Sequence, residues 1–342
     1  MSIVRGAALV AGLLVFGCGG DDAASGGGGA SGGGTGGGSG GASGAAGAGT
    51  GGAGGADAGT GGAGPVIPFA CPGGAITEGL NSGFLGSRSF EVSFPADRSK
   101  PLAVVFSWHG YGDSAANFHT ALGLDPDADP SFPFVLVTPE DTGLFPPAGL
   151  DWDMFDATRA DNADALLFEG ILGCLAAQED VDASRIYSIG FSAGAIMTNL
   201  LHARYPDLLA ATLAYSGAWF ADPTESSSVN TLGMAVNFAW PQLEAGHGGA
   251  VALTHGGVND SFGMGTIKVI DFEVAAQAAV PFLTAAGRTV VECAHANGHQ
   301  PHPEVGPGVA ISFFRDHRAG EPSPYASGGL TGWPGSCTLH RP

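Results

Sequence analysis

Six short runs of almost uninterrupted apolar residues limit what this chain can fold into. They are LAVVFSW (102–108), FVLVTP (134–139), RIYSIGF (185–191), LAATLAYSG (209–217), AVALTHG (250–256) and RTVVECA (288–294). A strand covered on one face alternates apolar and polar residues; a strand covered on both faces does not alternate. Only one segment, SFEVSF (89–94), alternates as a half-buried strand does. Between the runs lie helical periods. Residues 161–178 set Leu167, Ile171, Cys174 and Leu175 on one face, 193–204 are apolar nearly all round, and 271–286 and 308–317 supply two more. Strands covered on both faces, in β-then-α order, predict an α/β architecture: a mostly parallel central sheet with helices on both faces.

This pattern is confined to the later part of the chain. From Gly19 to Gly64, 25 of 46 residues are glycine and most of the rest are Ala, Ser or Thr, so nothing there can pay for ordering the backbone. The expected organisation is a leader over 1–18, a flexible tether over 19–64 and a catalytic domain over 65–342. The leader, MSIVRGAALVAGLLVFGC, has one Arg, a short apolar run and Gly17 before Cys18. This reads as a secretion signal. With Val15 three residues before the cysteine, it is similar to the lipobox of bacterial lipoproteins, which implies cleavage before Cys18 and lipidation of its thiol. Phe16 departs from that pattern, and ordinary signal cleavage is the alternative. Either way the protein is expected to be exported, as a bacterial cell-surface lipoprotein or as a freely secreted protein.

Cys71, Cys174, Cys293 and Cys337 remain. An even number in an exported domain predicts two disulfides, with all three pairings open. None of the cysteines has metal-ligand spacing, so no metal or cofactor is expected. The net charge is −20 and the only lysines are Lys100 and Lys268, which excludes the basic footprint of a nucleic-acid binder. Contact with a membrane is expected only through the lipid.

The pattern G-x-S-x-G occurs around Ser31, Ser39 and Ser192. The first two lie in the tether, where nothing can hold a base against a hydroxyl. Ser192 lies where a buried strand meets a buried helix, and Gly190, Ala193 and Gly194 keep that turn slim. Such a turn lifts the serine above the sheet. A serine hydroxyl needs a base, and the base needs an orienting acid. In α/β-hydrolases these follow in the order nucleophile, acid, histidine, after late strands. Asp260 follows the run at 250–256 and His299 follows the run at 288–294. The rivals fit less well. Asp271 and Glu273 come a helix turn late, His295 is too close to its strand, and His302 sits between prolines. His247 and His255 precede the acid. Two N–H donors are expected to stabilise the oxyanion, Ala193 and Tyr111, the latter in the loop SWHGYGDS (107–114). His109 is expected to hydrogen-bond within that loop, and His109, Trp152, Trp219 and Trp240 are the candidates for a substrate cleft, with Phe155 and Phe220 beside them.

The stretches WHGYGDSAAN, RIYSIGFSAGAIMTNLLHARYPDLLAATLAYSG, HGGVNDS and NGHQPHP resemble the secreted esterases grouped around polyhydroxybutyrate depolymerases and feruloyl esterases, in the carbohydrate-esterase branch of the α/β-hydrolases. The resemblance covers about 71–317, and CPGG (71–74) is similar to the cysteine-bearing start of such domains. It implies an α/β-hydrolase fold with Ser192 as nucleophile, Asp260 as acid and His299 as base, acting on a polyester or a hydroxycinnamoyl-polysaccharide ester. Ala195 stands where the family often has a second glycine, and no Trp follows the histidine. Both departures bear on substrate choice. The leading expectation is an exported serine esterase. A catalytically inactive surface binding protein of the same fold is the alternative, and nothing in the sequence favours a peptidase.

Overall fold

The computed structural model describes residues 65–142, 151–219, 239–243, 249–264 and 267–342. The expectations for the leader, the tether, Cys18, Phe220 and His247 lie outside them. Among the described residues, strands β1 (Gly79–Phe84), β2 (Arg88–Ser93), β3 (Leu102–Trp108), β4 (Phe134–Pro139), β5 (Val181–Phe191), β6 (Leu209–Tyr215), β7 (Ala250–His255), β10 (Thr289–Ala294) and β11 (Cys337–His340) form one sheet. Its order is β1-β2-β4-β3-β5-β6-β7-β10-β11. The pairs from β4 through β10 are parallel, while β1, β2 and β11 add antiparallel edges. A separate hairpin joins β8 (Ser261–Met264) to β9 (Ile267–Asp271).

The continuous apolar runs form the strands covered on both faces. Along β3, Val104, Phe106 and Trp108 enter one core with Leu167, Ile171 and Leu200, while Ala103 and Val105 enter the other with Phe313 and Phe314. Helices α2 (Ala163–Gln178), α3 (Ala193–Arg204) and α4 (Phe272–Ala285) supply the first core. Helix α5 (Pro307–Arg315) supplies the second.

Helix ends follow their caps. Asn162 accepts from the Ala165 N–H at 2.9 Å and Asp271 from the Val274 N–H at 3.2 Å, so α2 and α4 each start one or two residues later than the hydrophobic period suggests. Helix α1 (Ala115–Leu122) was not expected from the sequence. It has only eight residues, too few for a period to register, and is fixed by its ends: the Ser114 side chain accepts from Asn117, and Gly123 stops it at φ 62°. Strand β1 is an edge strand of sequence GLNSGF, with none of the alternation that reveals a strand.

Helix α2 buries more than its expected face because the chain around Phe69–Cys71 crosses it. A Cβ on Gly173 would come within 2.7 Å of the Ala70 carbonyl, so glycine alone admits that crossing. The crossing is pinned by Cys71–Cys174, and Cys293–Cys337 joins directly opposed residues of β10 and β11. These are the two disulfides expected, with the pairing now fixed. Cys71–Cys174 closes a separation of 103 residues. A loop of that length contributes about 3–5 kcal/mol by restricting the unfolded chain. Replacing both cysteines by serine is expected to lower the melting temperature by on the order of 10 °C in a calorimetric scan, with the double variant of Cys293 and Cys337 as comparison. A fall under 2 °C would contradict the bridge.

Candidate active site

Three strand ends meet at one edge of the sheet. Ser192 links β5 to α3 with φ 55° and ψ −120°, a conformation that costs a non-glycine residue on the order of 1–3 kcal/mol. Its N–H continues the ladder to Tyr215 O (2.9 Å), and its carbonyl already accepts from Ala195 and Ile196 (3.0 and 3.1 Å). Strand thus becomes helix within one residue. The flanking glycines are needed for space rather than φ. A Cβ on Gly190 would collide with the Gly194 carbonyl, and one on Gly194 with the carbonyls of Trp108 and His109.

His299 follows β10. Its Nε2 lies 2.9 Å from Ser192 Oγ, and its Nδ1 lies 2.7 Å from Asp260 Oδ1. The imidazole is stacked on Phe272 (centroids 4.7 Å, planes 11°) and lies against Phe191 at 4.9 Å, so two aromatic rings hold its orientation. Asp260 follows β7 after the single turn Gly257–Asn259 and is fully buried. Its second oxygen accepts from the Gly256 N–H (2.7 Å) and Ser216 Oγ (2.8 Å). Buried carboxylates need such partners. Ser216 was missed by the sequence reading; its signal is the residue just past β6, held at φ 52°.

The rival residues lie elsewhere. Asp271 caps α4 and pairs with Lys268 at 2.7 Å. His255 faces Glu292 at 3.5 Å. The rings of His295 and His302 meet at 5.0 Å, and burial, the largest influence on each, lowers the pKa of both, so they add no charge beside His299 near pH 7.

Tyr111 and Ala193 border the same pocket as Ser192. Ala193 is the first residue of α3, where an N–H has no partner inside its helix. The Tyr111 loop is held from several sides. His109 Nδ1 contacts Gly110 O at 2.9 Å, Trp152 Nε1 donates to His109 O at 3.0 Å, and the Gly112 N–H donates to Asp151 Oδ2 at 2.5 Å.

The cleft expected from His109, Trp152, Trp219 and Trp240 is corrected by their burial: 0% exposed for the first three and 6% for Trp240. Trp152 meets Trp108 edge-on at 5.0 Å and props the loop from beneath. Trp240 donates to Met154 O at 2.7 Å and packs against Trp219. Trp152 and Trp240 are too large and apolar to leave in water when backbone acceptors lie within reach. The surface beside Ser192 is instead built by Tyr111, Met154, Ala193, Ile196, Phe262, Ile270 and Phe272. Phe262 and Ile270 come from the β8–β9 hairpin, whose short strands SFGM and IKVID carry no readable period.

Residues 92–236 match the family model described as Esterase PHB depolymerase. Feruloyl esterase B of Talaromyces stipitatus is 30% identical over 142 residues, 40% of this chain and 37% of that protein. Feruloyl esterase B of Neurospora crassa is 32% identical over 119 residues, 35% of this chain and 40% of that one. Acetylxylan esterase A of Emericella nidulans is 28% identical over 131 residues, 37% and 41% of the two chains. The match therefore spans about two-fifths of the length of these curated relatives. The native crystal structure of pOPH superposes with a TM-score of 0.63 at 19% identity, over 80% of this chain and 96% of that one. Native sOPH gives 0.62 at 19%, over 80% and 98%. The fold is that of the α/β-hydrolases, and the resemblance to the polyhydroxybutyrate depolymerase and feruloyl esterase group holds in sequence.

Proposed function

We propose that this protein is an exported serine esterase that cleaves carboxylic esters through an acyl-enzyme. One observation carries the reading: an unbroken hydrogen-bonded path from Ser192 Oγ through His299 to buried Asp260, at 2.9 and 2.7 Å, starting from a strained turn. Asp260 accepts only, so Nδ1 of His299 holds the proton and Nε2 is free to take the one on Ser192. As Ser192 attacks the ester carbonyl, the N–H groups of Tyr111 and Ala193 receive the developing oxyanion. His299 then returns the proton to the leaving alcohol, and water repeats the sequence to release the acid. The match to esterases by name supports the same chemistry.

The walls beside Ser192 support a short acyl group: Ile196, Phe262, Ile270 and Phe272 set four bulky apolar side chains around the serine. This favours acetyl esters over the hydroxycinnamoyl and polyester substrates expected from the sequence, in line with the acetylxylan esterases among the relatives. Each surplus methylene in a tight apolar pocket is worth about 1–3 kcal/mol. The kcat/KM for 4-nitrophenyl acetate is therefore expected to exceed that for the octanoate and for methyl ferulate by at least about tenfold, with Phe262→Ala narrowing the gap. Faster cleavage of methyl ferulate or of 3-hydroxybutyrate oligomers would overturn the short-acyl reading. No hydrolysis of any ester would overturn the esterase itself.

Export is supported by the two disulfides, which persist in oxidising compartments. The leader Val15-Phe16-Gly17-Cys18 supports a lipid on Cys18. Detergent partitioning of the mature protein, lost in Cys18→Ser, is the expected result. A mature soluble protein that starts at another residue would reject the anchor.

A further inference from the structure

His109 is fully buried, and its ring makes one hydrogen bond, from Nδ1 to the Gly110 carbonyl at 2.9 Å. A carbonyl only accepts, so Nδ1 carries a proton. Nε2 is buried without a hydrogen-bond partner. It faces Glu140 Oε1 and Asp141 Oδ2, each at 3.5 Å, and one ligand atom from each of the three residues fits within 4.8 Å of the others. Three potential ligand atoms thus converge on one point.

We infer that His109, Glu140 and Asp141 bind a divalent transition-metal cation of the zinc or manganese class. Bonds of about 2.0–2.1 Å around a tetrahedral ion put neighbouring ligand atoms about 3.4 Å apart, close to the 3.5 Å observed. One imidazole with two carboxylates suits zinc or manganese better than calcium or magnesium, which prefer oxygen alone. The bond from Nδ1 to a carbonyl is the outer contact that a ligating histidine usually makes. The carboxylates are oriented from outside as well. Glu140 Oε2 accepts from the Ala115 N–H at 3.0 Å, which leaves Oε1 for the site. Arg88, which reaches the Glu140 backbone carbonyl, is paired with Asp164 at 2.6 Å and does not neutralise the group. Glu140 is 33% and Asp141 16% exposed, which gives an ion a route from solvent.

The site departs from the expectation of no metal because its ligands come from two strand ends rather than from one motif. It also touches the proposed chemistry. The Gly110 carbonyl and the Tyr111 N–H belong to one peptide unit, so an ion that fixes the His109 ring also aims an oxyanion donor. This second effect rests on the esterase reading; the binding site does not.

The test is titration of chelator-treated full-length protein with Zn²⁺ and with Mn²⁺, followed by calorimetry and by thermal unfolding, with Mg²⁺ and Ca²⁺ as controls. Saturable binding of one ion and a rise in melting temperature are expected. Glu140→Gln/Asp141→Asn is expected to weaken binding by on the order of 100-fold or more while circular dichroism stays unchanged. Absence of saturable binding up to millimolar ion, or binding undiminished in the double variant, would overturn the site. So would nitrogen NMR showing His109 protonated on both ring nitrogens at neutral pH in the presence of the ion. For 4-nitrophenyl acetate, kcat is expected to rise several-fold with the ion in the wild type and not in the double variant. If no ester is cleaved, the esterase reading fails while the binding measurements still decide the site.

Discussion

Ser192→Ala and His299→Ala are each expected to lower kcat for 4-nitrophenyl acetate by on the order of 10⁶-fold, and the double variant to be no slower than either alone. In the proposed mechanism the two side chains act as one unit through a single 2.9 Å contact, so losing either would remove the acyl-enzyme route. What would remain is the proposed oxyanion site at Tyr111 and Ala193, which is expected to leave turnover about 10³–10⁴-fold above that in water. Neither substitution is expected to unfold the domain. Ser192→Ala leaves the backbone turn in place, and His299 is 26% exposed rather than at the centre of a core. Equal melting temperatures would establish this. Single-variant losses that multiply in the double variant would mean that the two residues act independently, which would contradict the shared mechanism.

Asp260→Asn is expected to cost about 10⁴-fold in kcat, by a different route. The carboxylate accepts three hydrogen bonds, from His299, Ser216 and the Gly256 N–H. An amide has one accepting oxygen. If the Gly256 N–H and Ser216 keep that oxygen, the NH₂ group faces Nδ1 of His299, and the ring must carry its proton on Nε2. It then cannot accept from Ser192. Ser216→Ala removes one bond and keeps the carboxylate, so about a tenfold loss is expected, with KM little changed. A loss in Ser216→Ala as large as that in Asp260→Asn would make the serine part of the chemistry and not a residue that positions the acid.

The sequence made the architecture legible where burial was complete. Runs such as AVALTHG and RTVVECA became strands β7 and β10 because nothing but a strand covered on both faces uses so short an unbroken apolar stretch. The meeting of Ser192, Asp260 and His299 was legible for a related reason: each sits just past such a strand, and the turn at Ser192 tolerates only glycine at 190 and 194. Elements at the margins were not legible. Strand β1, helix α1 and the β8–β9 hairpin are short and take their form from pairing and caps, which periodicity does not report. The cleft was misread for an energetic reason. Tryptophans in loops suggest a binding wall, but Trp152 and Trp240 find backbone acceptors at 3.0 and 2.7 Å and are drawn inside. Phe262, Ile270 and Phe272, which do border Ser192, followed Asp260 in sequence without any pattern to mark them. The group His109, Glu140 and Asp141 was invisible for another reason, since parallel neighbours β3 and β4 bring together residues some thirty apart in the chain.

The most direct test is covalent. Native protein treated with a fluorophosphonate and digested for mass spectrometry is expected to carry one phosphonyl group, on the peptide containing Ser192. The adduct is expected to be absent in Ser192→Ala and to form far more slowly in His299→Ala. Folded protein that takes up no phosphonyl group, or takes it on a different serine, would contradict the assignment of Ser192 as the nucleophile.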